Sequence, residues 1–213
     1  MNMVTGILFS LAAGVIGAHM GSRWIDSLYG TSTDILSYPA STRERGRFRP
    51  TWMAALLVLL FSFTVLRHPN IMATNLFFLL AFEYFLLLFT FTDFEQQVIF
   101  DKMMLPFALL GCIATSVIGL PVLDHALAAA AGGAIFLLLA ILRRNGIGGG
   151  DIKLIAALGL WIGTKPLTIV VMAGLVLAGI AALILLITGK KKRDETFAYG
   201  PYFTITAGFM TLL

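Results

Sequence analysis

Four acidic residues stand close to the ends of long apolar runs: Asp93, Glu95, Asp101 and Asp151. They occupy two short polar segments. The first is Thr92-Asp93-Phe94-Glu95-Gln96-Gln97-Val98-Ile99-Phe100-Asp101-Lys102. The second is Asn145-Gly146-Ile147-Gly148-Gly149-Gly150-Asp151-Ile152-Lys153-Leu154. Two neighbouring carboxylates resist ionising together, so such a pair shares a proton. One member can then draw a proton from water while the other donates to a carbonyl oxygen. Asp93 and Asp151, each at the end of a different apolar run, are the candidates for that pair. Each also has a plain structural reading. Asp151 follows a glycine run and precedes an apolar stretch, as a helix N-cap does. Asp93 ends a long run, as an interfacial carboxylate does.

The elements that must position these acids are membrane helices. Of the 213 residues, 59% are hydrophobic and 12% are charged, roughly half the charge of an ordinary soluble domain. A span needs about 20 apolar residues to cross about 30 Å of hydrocarbon. Eight candidates stand near Val4–Met20, Trp52–Leu66, Ile71–Phe91, Met103–Val122, Ala126–Leu142, Ile152–Gly163, Leu167–Thr188 and Gly200–Leu213. The runs are continuous rather than alternating, which selects helices over a barrel. The predicted fold is therefore all-α: one polytopic domain over 1–213 with about eight transmembrane helices. Met1 to Thr5 lack a basic residue, so the first run is expected to stay as a helix rather than to act as a cleaved signal. Small residues at Ala128–Ala131, Gly132 and Gly133 suit close helix–helix approach.

Charge sets the orientation. The segments joining helices 1–2, 3–4, 5–6 and 7–8 carry Arg23, Arg43, Arg45, Arg47, Arg49, Lys102, Arg143, Arg144, Lys153, Lys190, Lys191, Lys192 and Arg193, which is 13 of the 15 basic residues. Arg67 and Lys165 fall on the other side. The basic side is expected to face the cytoplasm, and both termini to face outward. This asymmetry accounts for the net charge of +4 without nucleic acid as a partner, while basic loops at helix ends favour anionic lipid. Cys112 is the only cysteine, and His19, His68 and His125 are far apart. No cysteine-based metal site can form, and the histidines read as packed or interfacial residues.

A length argument favours the chemical reading of Asp151. From Ile152 to Gly163 the helix would rise about 18 Å. If Gly163-Thr164-Lys165-Pro166 turns at the outer surface, the inner end stops about 10 Å short of the cytoplasmic face. Ionisable groups at such depth are costly and are usually functional. The glycines at 146 and 148–150 permit close backbone approach or positive φ.

These segments resemble the prepilin peptidases, membrane aspartyl proteases with a Gly-x-Gly-Asp signature. That family carries one Asp followed eight residues later by another, the spacing of Asp93 and Asp101. Its Gly-x-Gly-Asp-x-Lys-Leu signature matches Gly148-Gly149-Gly150-Asp151-Ile152-Lys153-Leu154, and Tyr199-Gly200-Pro201-Tyr202 looks like its Phe-Gly-Pro turn. The likeness runs from about Trp52 onward and points to the bacterial eight-helix branch. Two departures stand out. Phe100 replaces the usual proline before Asp101. The first loop, Arg23–Thr51, lacks the two Cys-x-x-Cys pairs that suit zinc in many bacterial members.

The resemblance implies an aspartic endopeptidase of the bacterial inner membrane, with its active site toward the cytoplasm. Asp93 and Asp151 would be catalytic, with Gly148, Gly150, Asp101 and Lys153 in support. Its partners would be a type IV prepilin or pseudopilin, with a short basic leader and an apolar helix, and membrane lipid. Proteolysis by this chemistry needs no metal or cofactor. S-adenosylmethionine enters only if the chain also methylates the new N-terminus, which the missing cysteines leave open. Glu95 and Asp101 could attract a basic leader or be solvated loop charges. Two other readings stand beside this one. The first is a small transporter or ion pathway that uses Asp93 and Asp151 as proton or cation ligands; the second is a structural membrane subunit.

Overall fold

The computed structural model describes residues 3–142, 147–189 and 198–212, and every regular element among them is helical. The helices are α1 (Met3–Thr31), α2 (Thr42–Arg45), α3 (Arg49–Arg67), α4 (Ala73–Gln96), α5 (Asp101–Ile118), α6 (Val122–Leu142), α7 (Gly149–Ile162), α8 (Thr164–Ile187) and α9 (Gly200–Leu212). Six of them, α1, α3, α4, α5, α6 and α8, are long and apolar enough to cross a membrane. The chain is an all-α polytopic membrane protein. The two remaining long elements, α7 and α9, have 14 and 13 residues. They rise about 20 Å each and fall short of a full crossing.

Helix boundaries differ from the hydropathy reading at one place that matters. The first helix was expected to end at Met20, with Arg23 in a loop. Instead α1 continues to Thr31. Beyond the apolar run, Gly21, Ser22, Ile25, Leu28 and Tyr29 are buried, while Arg23, Asp26 and Ser27 are exposed. That spacing is an amphipathic helical stripe, so packing rather than lipid carries the helix past the apolar run. At the other end of this loop Arg49 is the first residue of α3 rather than a loop residue. The expected basic residues Arg143, Arg144, Lys190, Lys191, Lys192 and Arg193, together with Asn145 and Gly146, lie outside the described residues.

The chain forms two compact units, Met1–Val98 with Thr211–Leu213, and Ile99–Met210. In the first, α1, α3 and α4 pack together around Ile25, Met53, Leu57, Leu88 and Phe89. In the second, α7 sits among α5, α6 and α8. Its core holds Phe107, Leu154, Ile155, Leu158 and Phe203. Small residues set the closest approach, as their placement in the sequence suggested. A methyl group on Gly159 of α7 would meet the backbone of Ala128 and Ala129 of α6 at under 3 Å, so these two helices touch backbone to backbone. Trp161 donates its Nε1–H to the Phe107 carbonyl at 2.9 Å and stacks on the Phe107 ring. Outward-facing positions on α6 and α8, such as Leu138, Ile141, Leu183, Ile184 and Ile187, are large and apolar. That surface suits lipid rather than water.

Candidate active site

Asp93 lies on the last turn of α4, and its carbonyl accepts the Gln97 N–H at 2.9 Å. The helix stops there because Gln97 takes a left-handed conformation, φ 53°, which a residue other than glycine adopts at a cost of roughly 1 kcal/mol. Asp93 is 5% exposed, between the buried Thr92 and Gln96. A carboxylate at this end gains nothing from the helix dipole, which favours cations at the C-terminus. Its burial here is therefore not explained as an ordinary helix-end charge.

Glu95, two residues on, proves to be neither a solvated charge nor free to attract a leader. It is 6% exposed, and its Oε2 accepts the Arg49 Nη1–H at 2.8 Å and the Tyr29 hydroxyl at 3.1 Å. Arg49 is itself buried. It also pairs with Asp26 and donates to Ser22 Oγ at 3.2 Å. Arg45 donates to the Glu95 carbonyl at 3.2 Å and lies over the Tyr38 ring. The Gln96 side chain exchanges hydrogen bonds with the Tyr38 backbone at 2.9 and 3.2 Å. A buried polar network from α1, the following loop and α3 thus holds the end of α4 that carries Asp93. Composition and motif offered no sign of this network.

Asp151 is the third residue of α7, whose N-cap is Gly148. The N-cap reading of Asp151 is therefore corrected. An aspartate caps with its own position outside the helix, whereas here the helix starts two residues earlier. Asp151 is 8% exposed and lies outside the six long spans. Burial pushes its carboxyl up to about 6, against the N–H groups of Gly148 and Gly200, which donate to the charged form. The glycines act through space rather than through φ. Gly148 has φ −73°, and positive φ occurs elsewhere, at Gly119, Gly163 and Gly189. A methyl group on Gly150 would meet Ile99 Cβ at 3.1 Å, so the start of α7 packs its backbone against the segment before α5.

Asp101 opens α5, and its carboxylate accepts Lys153 Nζ–H at 2.6 and 2.9 Å. Two of the supporting candidates are thus joined to each other at the surface. Their side chains are 74% and 53% exposed. His125 is packed, with Nδ1 2.9 Å from the Leu160 carbonyl, as the histidines were expected to be.

One acid escaped the sequence reading. Glu83, in the middle of α4, is fully buried. Its Oε1 accepts hydroxyls from Thr64 at 2.5 Å and Thr211 at 3.3 Å. The signal that could have found it is its position inside the apolar run Ile71–Phe91, between Phe82 and Tyr84. An ionisable residue there calls for a partner and usually for a function.

Known proteins resemble the chain over this region. The model of the type IV leader peptidase family matches residues 80–184, about half of the chain. The match contains Asp93, Asp101 and the whole Gly148–Leu154 run. The chain is similar to proteins named prepilin leader peptidase/N-methyltransferase. With that of Neisseria gonorrhoeae it is 33% identical over 128 residues, 57% of this chain and 43% of that protein. With that of Legionella pneumophila it is 32% identical over 138 residues, 62% of this chain and 48% of that protein. With that of Pseudomonas aeruginosa it is 31% identical over 134 residues, 60% of this chain and 46% of that protein. The chain spans about half the length of these curated relatives. No solved structure matches it. With both candidate aspartates and the glycine signature inside the matched segment, the chain belongs to the type IV leader peptidase family.

Proposed function

We propose that this chain is an intramembrane aspartic endopeptidase that removes the short basic leader from type IV prepilins or pseudopilins at the cytoplasmic membrane face. Asp93 and Asp151 act as its acid–base pair. The observation that carries this reading is the buried Asp151 carboxylate in the first turn of α7, inside the family-matched segment. Support also comes from the relatives' name and from the buried, network-braced end of α4 that carries Asp93. The 13-to-2 basic asymmetry in the sequence favours a cytoplasmic active site in a bacterial inner membrane. Gly148 and Gly150 give α7 its close start, and Asp101 and Lys153 brace it from the surface. Methylation by S-adenosylmethionine is not part of the proposal, because the 23–51 segment has none of the cysteines tied to that activity in the resemblance.

Glu83 is the one observation that favours the rival transporter reading, since it is an acid in the interior of a span. A single assay separates the two. The purified chain in detergent, given a full-length prepilin and no ion gradient, should cut after the leader. A chain that leaves the substrate intact while carrying protons or cations across vesicles would replace the protease reading with the transporter.

A further inference from the structure

This inference rests on the protease reading and concerns what fixes the height of Asp151. Asp151 is the third of the 14 residues of α7. Leu160 stands nine positions further on, about 14 Å along the helix axis. Near Asp151 the grip of other side chains is slight. Among the described residues, the one side chain of another element that bonds to the first half of α7 is Asp101, and its contact with Lys153 is exposed. Such a pair holds little.

The far end of α7 is built differently. The Leu160 carbonyl is one of those that a helix end leaves without an intrahelical partner. The N–H four residues on, at Thr164, goes instead to Asp124 Oδ2 at 3.1 Å. In its place the Leu160 carbonyl accepts the Thr115 hydroxyl at 2.8 Å and the His125 Nδ1–H at 2.9 Å. A carbonyl only accepts, so this contact fixes the His125 proton on Nδ1. Thr115 of α5 and His125 of α6 are both buried. Next to Leu160, Trp161 donates to the Phe107 carbonyl of α5, and Gly159 lies backbone to backbone with Ala128 and Ala129 of α6. Small residues let backbones touch but raise few ridges against sliding. Resistance to movement of α7 along its axis therefore falls to the polar contacts at Leu160 and Trp161.

We propose that His125 and Thr115 are positioning residues for Asp151. They hold the Leu160 carbonyl, and the hydrogen-bonded helix carries that register to the carboxylate, because its rise per residue is fixed. A catalytic group has to be held within about 0.5 Å of its working place, so a small slip of α7 past α5 and α6 is enough to spoil the chemistry. Both residues act at the opposite end of α7 from Asp151, so their effect falls on kcat rather than on substrate binding.

The test uses the full chain in detergent with a purified prepilin, assayed well below the melting temperature of each variant. His125→Ala should lower kcat about tenfold with KM little changed, and Thr115→Val should do the same. His125→Asn and His125→Gln separate positioning from packing. The asparagine amide N–H falls where the Nδ1–H stands, whereas the glutamine amide reaches to the place of Nε2. His125→Asn should recover kcat to within about threefold of the wild type, and His125→Gln should stay as low as His125→Ala. If His125→Ala fails to melt cooperatively, the Asn and Gln variants decide alone. Equal kcat in folded His125→Asn and His125→Gln, or wild-type kcat in His125→Ala, would overturn the proposal and leave the protease reading standing. Absence of cleavage by the wild type would overturn both.

Discussion

Each candidate aspartate has an ion pair close by, and the two pairs could hardly differ more. Beside Asp93, Arg49 and Glu95 have side chains that are 3% and 7% exposed, and Tyr29, Ser22, Asp26 and Arg45 complete a network around them. Beside Asp151, Lys153 and Asp101 meet in solvent. In the sequence Asp101 and Lys153 both sit in recognisable motifs, and Arg49 does not. Physical chemistry ranks them the other way. An exposed pair is worth about 0–1 kcal/mol. Breaking a buried one strands an uncompensated charge and costs about 3–5 kcal/mol. The end of α4 that carries Asp93 is braced by a network anchored in α1 and α3, whereas Asp151 is buried in the first turn of α7 with the neighbouring ion pair outside in solvent.

The largest expected effect tests the aspartates themselves. Asp93→Asn and Asp151→Asn should each remove nearly all cleavage of a purified prepilin, and the double variant should be little worse than either, since groups acting as a unit are strongly non-additive. Substantial activity in Asp151→Asn would end the pairing.

The next effect belongs to the buried network. Arg49→Ala should destabilise the detergent-solubilised chain by about 3–5 kcal/mol, read as a lower melting temperature, and Arg49→Lys should recover only part of it. A variant that melts like the wild type would mean that α4 is held by something else.

A third, smaller effect is pH-dependent stability at Asp151. Its carboxyl is pushed from the usual 3.8 to about 6 by burial. A group raised above its unfolded value contributes its stability below pH 4 and loses it as pH rises through about 6. At pH 8 Asp151→Asn should therefore melt a few degrees above the wild type, and near pH 4 the two should converge. Equal melting at both values would show that the carboxylate is not desolvated in the folded chain.

The smallest effect is expected at the exposed pair. Lys153→Ala and Asp101→Asn should each cost under about 1 kcal/mol and reduce cleavage modestly. Complete loss of activity in folded Asp101→Asn would place that carboxylate inside the catalytic set and reverse the ranking of the two ion pairs.

The membrane class, the helix order and the motifs that carry the two candidate aspartates were legible in the chain itself. Long apolar runs can only be helices when water cannot satisfy the backbone, and the spacing of Asp93, Asp101 and the Gly148–Leu154 run is a property of sequence alone. Glu83 was visible in principle, as a charge inside an apolar run. Tertiary packing decided the rest. The amphipathic stripe through Ser22, Ile25 and Tyr29 extends α1 past its apolar run because α3 and α4 give it something to cover. Arg49 and Glu95 lie 46 positions apart, and no local pattern tells a buried partner from a solvated loop charge. Burial depends on what folds over a residue, which is why Glu95 is buried against Arg49 while Asp101, eight residues from Asp93, meets Lys153 in solvent.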